Sequence, residues 1–265
     1  MNIQRIRTII EKEWAEVFKN RLVLFTIGFL PIMFTLLPLG VLYSTRGSLA
    51  DTGVSPSDLP PQFAQLCGSI PAAECMQVFI LNQFLILFMV MPLIIPVSIA
   101  AYSIVGEKTT RSLEPLLATP ISTGELLLGK CLAAAIPAVL ATWAGFLIFA
   151  IGAPLAGAGP SAARQLFSPI WLLAVFVVGP LIAVLAVNFA IMISSRVTDP
   201  RVAEQTSAVI IVPLLAVLFG QLAGVVIINV TFMLAAIVVL ILIDAGVSVL
   251  GVRLFQRETI LTKWK

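Results

Sequence analysis

Apolar positions in this chain fall into long unbroken runs, and the polar positions are gathered into the short stretches between them. The runs cover 22–43, 76–105, 126–151, 170–193, 206–226 and 231–252. Each is long enough, at 1.5 Å per helical residue, to cross a hydrocarbon core about 30 Å thick. Prolines inside several of them (Pro31, Pro38, Pro92, Pro96, Pro137, Pro180) predict bends. The last two runs are separated by almost no charge, and Gln221, Gly224 and Asn229 mark the expected reversal. Ahead of the first run, residues 2–20 place Ile3, Ile6, Ile10, Trp14 and Val17 on one helical face. That pattern predicts an amphipathic helix lying in the membrane interface. Residues 44–75, rich in Gly, Pro, Ser and Asp, read as an outer loop, and 152–168 as a short connection. The expected fold is a single all-α transmembrane domain, 1–265, with six spanning helices.

Composition agrees with the pattern. Of 265 residues, 60% are hydrophobic and 11% charged, against about 25% charged in soluble domains. The net charge of +3 is too small to suggest nucleic-acid binding. Its distribution says more than its sum. With six spans both termini share one side, and that side holds every Lys and Arg except Arg46 and Arg164. This bias predicts cytoplasmic termini, with 106–125 and 194–205 also inside and 44–75 outside. Near the N-terminus, charges from Arg5 to Glu16 and the lack of a small-residue cleavage site argue against a removable signal.

The chain has no histidine and three cysteines, which leaves the usual zinc, haem and histidine-based catalytic sets without their ligands. Cys67 and Cys75 share the outer loop, where an oxidising compartment would allow a bridge; two free thiols are an equal alternative. Asp244 lies inside the sixth run, where a charge costs roughly 2.5–3.5 kcal/mol. It can serve an ion or substrate path, or hold helices together. Asn188 and the Asn82/Gln83 pair are read first as hydrogen-bond partners between helices.

The stretch GEKTTRSLEPLLATPISTGELLLGK, 106–130, carries much of the charge. Gly124 to Lys130 fits GxxxxGK, but Cys131 stands where a phosphate-binding loop needs Ser or Thr, and Glu125-Leu-Leu-Leu is a helix former. No nucleotide site is expected in this chain. Ser122 and Thr123 can cap the following helix with Glu125 nearby. A join between two spans needs only a few residues, so a structured segment of this length suggests a docking surface.

The same stretch resembles the segment after the second helix in permease subunits of type 2 ABC transporters. Glu107, Lys108, Leu113, Glu114, Leu116, Leu117, Thr119, Pro120, Leu127, Gly129 and Lys130 stand where that pattern expects them, and Arg111 replaces its common Gly. The amphipathic N-terminal helix and the Asp199-Pro200-Arg201 loop agree. The resemblance implies a coupling helix within 106–125 that docks on a separate ATP-binding subunit, present in two copies, and an N-terminal elbow helix. Glu107, Lys108, Arg111 and Glu114 would supply charged contacts, with Leu113, Leu116, Leu117 and Pro120 shaping the helix. ATP and magnesium would be bound by the partner, and none by this chain. A second permease, the same or similar, would complete an exporter of the bacterial plasma membrane. Asn188 and Asp244 are the candidates for the translocation path. The alternative expectation is an ion- or proton-coupled secondary transporter or channel that uses Asp244 and needs no ATPase.

Overall fold

The computed structural model describes residues 2–51, 72–109 and 121–254. Every regular element among them is helical. A short helix α1 (Ile3–Val17) leads into α2 (Arg21–Asp51), and α3 (Ala72–Phe88) and α4 (Met91–Thr109) follow. Next come α5 (Thr123–Leu155), two short helices α6 (Pro160–Leu166) and α7 (Pro169–Leu173), and α8 (Gly179–Ser194). The last three are α9 (Pro200–Ser207), α10 (Val212–Leu222) and α11 (Val230–Leu254).

Grouped by continuity, they make six stretches long and apolar enough to cross a membrane. Several helices extend beyond the apolar runs. α2 keeps Pro31 and Pro38 inside it and continues to Asp51, into the stretch read as loop. The second stretch breaks at Met89–Val90, just ahead of Pro92, whose missing N–H is tolerated in the first turn of α4. Between α7 and α8, residues Ala174–Val178 form a π-helical segment leading to Pro180. The polar stretch 194–205 is half helix, because Asp199 caps α9 through the Arg201 N–H at 2.8 Å and Pro200 opens it. The reversal between α10 and α11 turns at Gly224, φ 73°, and Asn229 accepts the Phe232 N–H at 2.7 Å.

The second stretch is the centre of the bundle: it is almost wholly buried, whereas the first, fifth and sixth are mostly exposed. α4 packs on both α5 and α8. The core around it is aromatic, with Trp171 wholly buried among Phe88, Phe146 and Phe149. At one end Glu74 accepts the Ser161 N–H and Gln77 accepts the Gly159 N–H, holding α6 against α3. Cys75 in the same turn is buried and disulfide-bonded; Cys67 lies outside the described residues. By contrast α2, α10 and α11 leave large apolar side chains exposed (Phe25, Leu36, Phe219, Leu242), a surface suited to lipid or another membrane helix.

Candidate functional site: an ionic clasp joining three helices

Residues on either side of the segment 110–120, which lies outside the described residues, are drawn together on α1. The apolar side of α1 is spent largely on protein. Ile6, Ile9, Glu13 and Val17, spaced by three and four, are buried, and α1 lies against the start of α5. A glycine permits the approach: a Cβ at Gly129 would stand 2.7 Å from Ile9 Cγ2. One turn on, Trp14 Nε1 donates to the Ala133 carbonyl at 3.0 Å.

Glu125 ties the two helix starts together. Its backbone N–H donates to Ser122 Oγ and its Oε2 accepts the Ser122 N–H, a capping box that starts α5. Its Oε1 accepts the Asn2 N–H at 2.8 Å, and Arg5 stands 3.6 Å from Oε2. One carboxylate therefore serves the N-termini of both α1 and α5, where the free N–H groups and helix dipoles favour negative charge.

Deeper in, Lys130 is enclosed. Its ammonium donates to Glu13 Oε1 at 2.7 Å and Ser103 Oγ at 2.7 Å, and lies 2.9 Å from Glu107 Oε2. Two of its hydrogens are thus used in hydrogen bonds, and the approach to Glu107 is an ion pair. Lys12 completes the set, paired with Glu107 and reaching Glu13 and Glu16 at 3.4 Å each. Lys130, Glu13 and Glu107 are each at most 4% exposed. The enclosed charges are one cation and two anions, and half-buried Lys12 supplies the second cation that balances them. Burial alone would raise the Glu13 carboxyl; the charge and hydrogen bond of Lys130, with Ser103 and Lys12, hold it below its ordinary value instead. Burial would likewise lower Lys12, and its hydrogen bond with Glu107 reverses this, lifting it above its ordinary range.

Glu107 is thus turned inward among lysines of this chain, whereas a contact with another protein had been expected of it. The reason is geometric: it lies on the Ser103 face of α4, four residues on, and that face meets α1 and α5. The side chain of Lys108 and all of Arg111, Leu113, Glu114, Leu116, Leu117 and Pro120 lie outside the described residues. The clasp members Lys12, Glu13 and Ser103 were not anticipated. The available signal was Lys130 and Glu107 at the mouths of apolar runs, where a charge implies an opposite partner.

Asn188 and Asp244 are not joined by a hydrogen bond. Asn188 Nδ2 donates to Ser248 Oγ at 3.1 Å, linking α8 to α11 as an interhelical bond. Asp244 is buried, and neither of its carboxylate oxygens has a hydrogen-bond partner among the described residues. Asn82 accepts from Gln165 at 3.2 Å, while the amide atoms of half-buried Gln83 are enclosed without a partner among the described residues.

Six apolar helices, with most of the charge confined to their ends and the helix beside them, define an integral membrane protein. Residues 7–237 match the family model described as ABC-2 family transporter protein. The chain belongs to that family, whose members are membrane permeases of ABC transporters working with an ATP-binding partner. No curated protein matches the chain.

Proposed function

We propose that this chain is the membrane-spanning permease of an ATP-driven exporter. It works as a homodimer or beside a similar permease, with two ATP-binding subunits that bind ATP and magnesium. The observation that carries this reading is the clasp. The segment between α4 and α5 is bounded by Glu107 on one side and by Glu125 and Lys130 on the other, and all three are bound to α1. A push on that segment would be delivered to three helices at once instead of being absorbed by a slack loop. Lys108, Arg111 and Glu114 are the charged contacts to the ATPase, and Leu113, Leu116, Leu117 and Pro120 shape the docking helix. Glu107 acts behind them as a positioning residue.

The charge bias supports an orientation with the termini and this segment on the cytoplasmic side of what we take to be a bacterial plasma membrane. The α3 start and a Cys67–Cys75 bridge then lie on the oxidising side. The elbow helix α1 lies at the inner interface, with Ile3 and Phe18, both exposed, toward lipid.

Copurification tests the reading. A soluble subunit of about 25–35 kDa, an ordinary domain size or a little above, with a complete phosphate-binding loop should follow the full-length chain from membranes. Glu114→Lys should remove substrate-stimulated ATP hydrolysis without affecting insertion; normal stimulation in that variant would count against the assignment. One observation favours a second reading: Asp244, buried with both oxygens unbonded, could serve as a proton or cation site. ATP-independent transport by the purified chain, lost in Asp244→Asn, would establish that reading in place of the first.

A further inference from the structure

Two cavities meet at Leu93. The upper, about 370 Å³, is walled by α3, α4, α8, α10 and α11, with Leu93, Leu214, Phe232 and Met233 among its lining. All its lining side chains are apolar, so nothing there could orient a polar molecule. The lower, about 300 Å³, has Leu93, Ile94 and Val97 of α4 on one side and Arg201, Glu204 and Gln205 of α9 on the other. Together they form one seam between α4 and the α9–α10 helix, charged at its foot and apolar above.

The dimensions suit an amphiphile standing in one leaflet. From Arg201 to Val217, the last α10 residue lining the upper cavity, the helical rise is about 24 Å at 1.5 Å per residue, a leaflet's half of the roughly 30 Å hydrocarbon core plus a head-group depth. The upper cavity holds on the order of a dozen methylene groups if each takes about the volume of a water molecule, roughly 30 Å³. That is room for a hydrocarbon chain. At the foot the charges are of both signs. Arg201 is exposed and makes no ion pair among the described residues, while Glu204 accepts a hydrogen bond from Ser98 Oγ. A helix of a second copy laid in the seam would cover both charges, at the cost that burying unmatched ions carries. A head group with a phosphate and an ammonium meets both.

We propose that this seam binds a zwitterionic phospholipid, one acyl chain in the cavity above Leu93 and the head group between Arg201 and Glu204. This names the substrate class of the proposed exporter and rests on the orientation argued above, which puts the head group at the inner leaflet.

The test uses the full-length chain in phosphatidylglycerol vesicles containing a trace of phosphatidylethanolamine with a photoreactive acyl chain. Peptides carrying Leu93 and Leu214 should be labelled several-fold more than the peptide carrying Ile151 and Leu155, which face outward on α5. A phosphatidylglycerol probe with the same chain should show no such preference. Arg201→Glu should abolish the enrichment at an exposed position that leaves the core intact, and Ala236→Trp should abolish it by filling the upper cavity. Equal labelling of groove and outer peptides, or equal enrichment with both head groups, would overturn the proposal. So would a disulfide between two copies through Ala208→Cys, which would make the seam a contact between chains. The labelling needs neither ATP nor a partner, so its result is separate from that of the Glu114 variant.

Discussion

Replacing Lys130 with Met removes the cation at the centre of the clasp while keeping the length of its stem. Glu13 and Glu107, both buried, would then face each other with only Lys12 between them, and Lys12 already serves Glu107 and Glu16. Removing one partner from a buried ion pair costs about 3–5 kcal/mol, mostly through the charge left behind. The loss should fall on the docking of α1 and not on the aromatic core, which lies around Trp171 on other helices. Amide hydrogen exchange of α1 in membrane-reconstituted protein reads this directly. At about 1.4 kcal/mol per tenfold, exchange across Ile6–Val17 should accelerate by between roughly a hundredfold and a few thousandfold, up to the limit of an undocked helix, with α8 unchanged. Adding Glu13→Gln to Lys130→Met should recover part of the loss, since it removes one uncompensated charge. Unaltered α1 exchange in Lys130→Met, or a double variant as poor as the sum of its singles, would refute the reasoning.

The pH dependence of docking follows from the two shifted groups. Glu13 is depressed below its ordinary 4.5, so its contribution is complete above that value and lost as pH falls through the folded pKa. Lys12 is raised above its ordinary 10.5, so its contribution is complete below that value and lost only as pH rises through the folded pKa. Protection of α1 from exchange, corrected for intrinsic rates, should therefore be flat between about pH 5 and 10 and fall below about 4.5. Gly129→Val should push α1 off α5, because even a Cβ there stands 2.7 Å from Ile9. A compensating Ile9→Ala should restore the Trp14 fluorescence of the native chain. Asp199→Ala should cost about 1 kcal/mol at the start of α9, seen as faster exchange confined to 200–207.

The six membrane crossings were legible because the bilayer imposes a length and a polarity that no other environment demands. The helix ends were less so. Asp199 and Pro200 are helix-start signals within a stretch whose polarity suggests a loop, and α2 continues past Tyr43 because nothing in the residues after it forbids a helix. The capping box of Ser122 and Glu125 could be read from spacing alone, being local. The clasp could not. Glu13 and Lys130 are 117 positions apart, and tertiary contacts such as Ile9 on Gly129 and Trp14 on Ala133 bring their helices into register. The same limit applies to Glu107, whose charge suggested an outward role until the face it shares with Ser103 was known. The seam at Leu93 was also hidden, since apolar lining looks the same in sequence whether it faces lipid, core or cavity.

Photo-crosslinking in intact cells tests the central claim most directly. A photoreactive amino acid at Leu116, within the proposed docking helix, should capture one soluble subunit carrying a complete phosphate-binding loop. The same group at Leu147 should capture only lipid. Capture at neither position, or equal capture of the same subunit at both, would contradict the assignment of the α4–α5 segment as the place where this permease meets its ATPase.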